Sequence, residues 1–436
     1  MFLKTSELDF KSKFFSTLIA FFPLSFIAGN LVINLNIVIL IVSAFIFFGK
    51  EIFRIKFNII DKLITVIFVY ILFVGIFNTV ENFYFIEEAI TDTVILKKTI
   101  LFFRYFLVYF ILRFLVEKKI LSLRFLFLFS IIGSLFVSFD LIYQFIFNYD
   151  IFGYEKIGRK YPGPFGNEAI AGGYLQRFSL IGIFYVILFS NQKDKKYLIV
   201  FVSFLIILFF VSIGISGNRM PLLLFAFIVI LIFLFEEKLR KFLILLAFVL
   251  SLIFFSLNKF VPTFSQNIQN FTHQISWIYE HWAAEDKELR TAVPSYYFEF
   301  SSFYETWRMN EFLGGGIKSF RINCLKRDNV IEKWRDFSCN MHPHNYYLEI
   351  LTDLGLVGFL LIIFLLYKLL YLAFFKYFKY LKKDKLRYIL TPLIFLLIAE
   401  FFPLRSSGSF FTTNNSAFIF ILIALIASFL KGRNLN

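Results

Sequence analysis

Residues 193–219 read KDKKYLIVFVSFLIILFFVSIGISGNR. A lysine cluster is followed by positions 197–214, which carry no charge, and then by a polar tip, Ser216-Gly217-Asn218-Arg219. An apolar run of roughly 18 residues is long enough, as a helix, to cross a hydrocarbon layer ~30 Å thick. Backbone groups find no water there, so the run must satisfy them internally as a helix. No alternating ten-residue pattern suggests a membrane barrel.

The same pattern recurs on both sides of this stretch. The chain has 436 residues, 59% of them hydrophobic and 22% aromatic, with a mean hydropathy of +0.75. No soluble core needs that much apolar surface. The spacing predicts an all-α polytopic membrane protein with about twelve transmembrane helices. They fall near 14–29, 31–48, 58–77, 98–116, 124–148, 173–190, 197–214, 220–235, 241–257, 346–373, 387–403 and 416–431. Lys4, Lys11 and Lys13 precede Phe14–Ala28. No clear small-x-small cleavage site follows, so this run reads as a retained first span rather than a signal peptide.

The net charge of +15 would suggest nucleic acid in a soluble protein. Here the basic residues sit mainly in short loops, where they set orientation, and a nucleic-acid partner is not expected. Lys50/Arg54/Lys56, Lys118/Lys119/Arg124, Lys193/Lys195/Lys196, Lys238/Arg240/Lys241 and Lys379/Lys382/Lys383/Lys385/Arg387 alternate onto the side of the N-terminus. By the positive-inside rule that side is the cytoplasm, and both termini are expected there. The loop 78–96 is acidic (Glu81, Glu87, Glu88, Asp92), as expected outside. The segment 149–172, the tip Ser216–Arg219, the long loop 258–345 and 404–415 are expected outside as well. The chain then divides into a transmembrane bundle over 1–257, a large outer loop over 258–345 and a second transmembrane part over 346–436.

The long loop holds all four histidines, all four tryptophans and both cysteines, between His273 and His344. Phe264, Ile268, Phe271, Ile275, Ile278 and Trp282 recur at helical spacing and predict an amphipathic helix, on the membrane surface or over a cavity between spans. A second helix is expected after Pro294, with Tyr296, Phe300, Phe303 and Trp307 on one stripe and Gly314-Gly315-Gly316 ending it. Both stripes read first as packing surfaces, with sugar stacking by a tryptophan as the sharper alternative. Cys324 and Cys339 are expected to form a disulfide in an oxidising compartment. A Cys₂His₂ zinc site with His342 and His344 is the alternative.

A family resemblance rests on short motifs. His344-Asn345, nine residues and then Gly355, followed by Leu356-Val357-Gly358, resembles the signature of the O-antigen ligase/polymerase superfamily. Gly314-Gly315-Gly316-Ile317-Lys318-Ser319-Phe320 looks like that family's Gly-x-Gly-x-x-Phe element. Ser216-Gly217-Asn218-Arg219 looks like its Ser-x-x-Arg element at a periplasmic span end. The resemblance implies about twelve spans with one large periplasmic loop in a bacterial inner membrane. It also implies metal-independent transfer of a glycan, without a cofactor. The donor would be linked to undecaprenyl diphosphate, and the acceptor hydroxyl would belong to lipid A–core or to another glycan. Lipids would be the remaining partners.

By motif, His344 matches the catalytic histidine and Arg219 a diphosphate-binding arginine. The chemistry agrees with those roles. An imidazole can take a proton from an attacking hydroxyl near neutral pH. A guanidinium fork pairs with the oxygens of a diphosphate leaving group. Asn345 is expected to orient the ring or hold a sugar hydroxyl, and His342 to support it. Gly314 and Gly316 would shape the loop. The family usually has another arginine some twenty residues before the Gly-x-Gly element. Arg290 and Arg308 fall out of register, so the second cationic role is unassigned, with Arg177 and Arg405 as candidates. Arg104, inside a span, needs a partner; Asp140 is one candidate and a phosphate is another. Asp140, Gln144 and Glu400 read as helix–helix hydrogen-bonding groups.

Within the same class, a polysaccharide polymerase or a protein O-oligosaccharyltransferase fits the same motifs. A secondary transporter is the alternative from another class. It would show inverted repeats and helices broken at the midplane, and no clear internal repeat is present. No Gly-rich phosphate loop with a lysine occurs. That fits a donor already activated as a lipid diphosphate.

Overall fold

The computed structural model describes residues 9–85, 92–189, 195–236, 240–262, 264–266, 268–270, 272–273, 276, 295–327, 339, 344–374, 385–405 and 408–430. Among them the regular structure is helical, beside two isolated β-bridges, Tyr149 with Glu155 and Ile157 with Lys160. The helices are α1 (Phe10–Ala20), α2 (Phe22–Ala28), α3 (Asn30–Phe48), α4 (Ile59–Phe85), α5 (Asp92–Phe102), α6 (Arg104–Glu117), α7 (Leu123–Phe147) and α8 (Ala171–Phe189). They continue with α9 (Lys195–Ile215), α10 (Arg219–Phe235), α11 (Arg240–Phe260), α12 (Ser295–Trp307), α13 (Phe320–Asn323), α14 (Tyr346–Tyr371), α15 (Lys385–Glu400) and α16 (Thr413–Phe429).

The chain is a multi-pass, all-α membrane protein. Among the described residues 8 helices are long and apolar enough to span, or 9 if the bent pair Phe248–Phe260 and Phe264–Asn270 is one span. Arg219–Phe235 and Thr413–Phe429 are shorter apolar helices. Two of the expected spans are interrupted: the first bends between α1 and α2, where Pro23 opens the second piece, and another breaks at Phe103 between α5 and α6. Of the amphipathic stripe expected after Phe264, residues Phe271, Ile275, Ile278 and Trp282 lie outside the described residues.

The chain forms two compact units. One comprises Met1–Asn36, Lys119–Glu288 and Lys383–Ala399; the other comprises Ile37–Lys118, Leu289–Lys382 and Glu400–Asn436. Packing therefore does not follow chain order.

In the first unit α7 is the central helix and packs against α1, α2, α8 and α9, while α10 leans on α8, α9 and α11. Asp140 and Gln144 tie the following connector to α7 rather than joining two helices. Ile151 N donates to Asp140 Oδ1 at 2.9 Å. Gln144 donates to Tyr154 O at 3.0 Å and accepts from Gly163 N at 2.9 Å. At another end of the unit Arg387 Nε donates to Glu236 Oε1 at 2.9 Å, joining α15 to the end of α10.

In the second unit α6 packs on α16 and α4, and α14 packs on α4, α12 and α16. Fully buried Asp61 of α4 and Arg113 of α6 form a two-pronged ion pair at 2.8 and 2.9 Å. Tyr109 donates to the same carboxylate at 2.6 Å and Asn58 N at 2.8 Å. In an apolar surrounding an unpaired charge would be several kcal/mol unfavourable, and here each charge is met by hydrogen bonds as well as by its counterion. Arg104 donates to Tyr105 Oη at 2.8 Å and to Thr413 Oγ1 at 3.2 Å. Those hydroxyls take the place of the candidate Asp140 carboxylate.

Candidate functional site

His344 immediately precedes α14 and has a left-handed backbone, φ 47°. The next residue explains the turn. Asn345 is extended and caps the helix, its side-chain oxygen accepting from Tyr347 N at 2.9 Å and Leu348 N at 3.3 Å. A cap of this kind satisfies N–H groups that the first turn leaves open. The Asn345 amide also donates to Pro403 O at 3.0 Å. Its side chain is thus engaged with backbone on both sides, so that it fixes where the chain turns at His344.

Three turns further on, α14 breaks. Gly355 has φ 64° and ψ −173° inside the helix, a conformation that is essentially restricted to glycine. The break frees backbone groups that a membrane cannot satisfy, and the turn 311–316 takes them up. Gly315 N and Gly316 N donate to Thr352 O and Asp353 O at 3.0 and 2.8 Å. Leu356 N and Val357 N donate to Glu311 O and Phe312 O at 2.8 and 3.2 Å. Tyr70 Oη donates to Leu354 O at 2.9 Å. Contact is backbone to backbone: a Cβ on Gly314 would sit 2.4 Å from Gly355 N, and one on Gly355 would sit 2.2 Å from Phe312 O. The Gly314–Gly316 and Gly355 elements are therefore two halves of one joint.

Beside the joint lies a charged cluster that the sequence reading missed. Glu349 and Asp353 are one turn apart on α14 and both buried. Lys318 N donates to Asp353 Oδ2 at 2.8 Å, and Lys318 Nζ approaches Glu349 Oε1 at 3.3 Å. Ser409 Oγ and Phe410 N also donate to Glu349, and Lys318 Nζ contacts Ser409 Oγ. Two carboxylates at i,i+4 in an apolar run were the available signal, since such residues need partners.

Arg405 is paired in this unit. Its guanidinium lies 2.8 Å from Glu400 Oε1 and 5.7 Å from the Tyr346 ring centroid. Tyr346 Oη donates to Glu400 Oε2 at 3.4 Å. An anionic ligand at Arg405 would meet a guanidinium that already faces a carboxylate.

Cys324 and Cys339 are joined by a disulfide and pack with Phe303 and Phe320, whose rings stack 3.5 Å apart. Both thiols are thereby engaged, and the zinc alternative lacks its sulfur ligands. No group of three His, Cys, Asp or Glu suited to a metal occurs among the described residues. His342 lies outside them. Glu299 on α12 is buried. Burial raises its carboxyl above the usual range, and the charge of His344 works in the opposite direction.

The remaining motif residues belong to the first unit. Asn218 stands at the cap position before α10, but its side chain turns to the connector and start of α8. Gly172 N donates to its Oδ1 at 3.2 Å, and its Nδ2 donates to Ala169 O at 3.0 Å. Tyr161 N donates to Ser216 O at 3.2 Å. The tip 216–218 is thus stitched to the connector before α8 and to the start of that helix. Arg219 is the first residue of α10 and is partly exposed. With Asn218, Leu222, Leu223, Phe254 and Phe264 it lines a cavity of about 210 Å³. Arg177 is buried in α8.

Residues 204–363 match the family model described as O-antigen ligase. That stretch is similar to the O-antigen ligase family. The matched stretch includes Arg219, the Gly314–Gly316 turn, the disulfide, His344 and Gly355, and leaves Arg177 and Arg405 outside. The match supports the O-antigen ligase/polymerase superfamily. It indicates a ligase- or polymerase-type function on lipid-linked glycan and a glycan acceptor. No curated protein matches the chain at a significant level.

Proposed function

We propose that this protein transfers a glycan from undecaprenyl diphosphate to an acceptor hydroxyl, on lipid A–core, at the periplasmic face of a bacterial inner membrane. The observation that carries the reading is the glycine joint. It binds two motif elements of the ligase family to the helix whose capped start presents His344.

Each residue then has a chemical task. His344 accepts the proton of the attacking hydroxyl as general base. Its turn is set by the Asn345 cap, so the imidazole is carried on a rigid element. Arg219, beside an apolar cavity, meets the donor diphosphate with paired N–H donors, and Arg177 is the second cation on that unit. Lys318 is too closely held by Glu349 and Asp353 for that task. The transfer requires no metal and no cofactor, because the donor is activated in advance. Twelve spans, cytoplasmic termini and a periplasmic loop over 258–345 complete the arrangement.

A deletion strain tests this directly. Its carrier-linked and lipopolysaccharide-linked glycans are separated and weighed by mass spectrometry. Loss of all attached polymer, with full-length carrier-linked chains accumulating, is the expected result. Retention of a single attached repeat indicates a polymerase instead, and unchanged surface glycan defeats both.

A further inference from the structure

A buried carboxylate stands behind the proposed base, on a helix to which the family motifs assign nothing. Leu348, one turn beyond His344's position, packs against the Phe303–Phe320–Cys324–Cys339 cluster. Glu299 lies one turn before Phe303 on α12. Thr352 Oγ1 donates to Phe303 O at 3.3 Å and joins the same two helices one turn further along. Residues one turn apart share a helix face, so Glu299 lies on the edge of α12 that meets Leu348, and His344 sits just before the helix that carries Leu348. Glu299 is only 7% exposed. Its Oε2 has no hydrogen-bond partner among the described residues, and the group interacts electrostatically with His344. A carboxylate buried in this way is expensive unless something compensates it.

We infer that Glu299 is a positioning residue for His344, holding the imidazole in one tautomer and stabilising the imidazolium that forms during transfer. The inference rests on His344 being the general base. In the transfer step the acceptor hydroxyl proton moves to a ring nitrogen of His344. The acceptor oxygen bonds to the anomeric carbon as that carbon's bond to the diphosphate breaks, and the diphosphate leaves with the electron pair. Glu299 exchanges no proton. Its carboxylate faces the positive charge that appears on the ring, the role a carboxylate plays behind a histidine in serine hydrolases.

The test uses the full-length protein in membranes of the deletion strain, with its accumulated carrier-linked glycan as donor. Glu299→Gln keeps the shape and removes the charge. It is expected to lower kcat by roughly 10²-fold or more, as removal of the carboxylate does in such sites, while donor KM stays within about twofold because no donor contact is lost. Glu299→Asp should recover part of the rate. A second measurement does not depend on activity. In ¹⁵N-histidine NMR, with the His344 signals assigned by their loss in His344→Gln, the wild type should show one neutral tautomer and Glu299→Gln a mixture.

Wild-type kcat in Glu299→Gln, or an unaltered tautomer, overturns the inference while an inactive His344→Gln leaves the base assignment standing. Full transfer by His344→Gln overturns the base assignment itself, and the positioning role falls with it.

Discussion

The unit carrying His344 and the unit carrying Arg219 are built on different principles. Around His344 nearly every local feature is cross-linked. A cap fixes the turn, a glycine joint locks the broken helix, Lys318 and Ser409 satisfy Glu349, and a disulfide closes the packed cluster. Around Arg219 the fixed part is a tip held by the amide of Asn218, and the guanidinium sits beside an apolar cavity. The first construction suits chemistry, where an error of one ångström is costly in rate. The second suits a long lipid with a charged head, which needs an apolar wall and a cation more than a single fixed pose. Substitutions in the two regions should therefore fail differently.

The largest effect is expected at His344. His344→Ala removes the proposed base and leaves the Asn345 cap and the joint intact. Transfer should fall by about 10²–10⁴-fold, with membrane insertion and thermal stability unchanged. Normal surface glycan in a strain carrying only this variant would show that the rigid region is a scaffold and not the seat of the chemistry.

Gly355→Ala attacks the rigidity itself. The added Cβ would meet Phe312 O at 2.2 Å, and the backbone conformation becomes strained. Each effect is of the order of 1–3 kcal/mol. Lower yield of folded protein and a lower Tm should accompany the loss of transfer. A fully stable and active variant would mean that the broken helix has another way to close.

The helical runs were readable because hydropathy is a local property: each expected run falls on helical structure, two of them broken, and 8 or 9 helices qualify as spans among the described residues. The joint was not, since it is made by Gly314 and Gly355, which lie far apart in sequence and whose carbonyl and amide partners carry no side-chain signature. Asp61 and Arg113 escaped notice for a related reason. Each stands near the basic end of a span, where a single charge reads as an interfacial anchor, and only the packing of α4 on α6 reveals the pair. His344 and the glycines were legible through a family pattern. Glu349 and Asp353 were present in the sequence as two acids in an apolar run and were passed over. Lys318 and Ser409 could not be attached to them without the fold.

A smaller effect is expected at the disulfide. By the chain-entropy account, closing a loop of 15 residues contributes ~3 kcal/mol. Cys324→Ser with Cys339→Ser should lower the Tm of the His344 unit and make its protease sensitivity depend on temperature. At low temperature transfer should be largely retained, because neither sulfur is given a role in the chemistry. Complete loss of transfer in a variant that still resists protease would instead tie the loop directly to substrate.

Arg219→Lys should have the mildest effect, and it tests the softer half of the comparison. Lysine keeps the charge and most of the length, so attraction to an anionic headgroup survives. It loses the planar fork that meets two phosphate oxygens at once. One charge-assisted hydrogen bond is worth about 1.5–3 kcal/mol, so kcat/KM should drop by roughly 10- to 150-fold, against a larger loss for Arg219→Ala. The bonds that Asn218 and Ser216 make to the connector before α8 are untouched by this exchange. Asn218→Ala, by contrast, should loosen the tip without touching the charge. If Arg219→Lys were as inactive as His344→Ala, the Arg219 region would have to be as geometrically demanding as the His344 region. The cation would then be aligning the leaving group in the transition state as well as holding a lipid head.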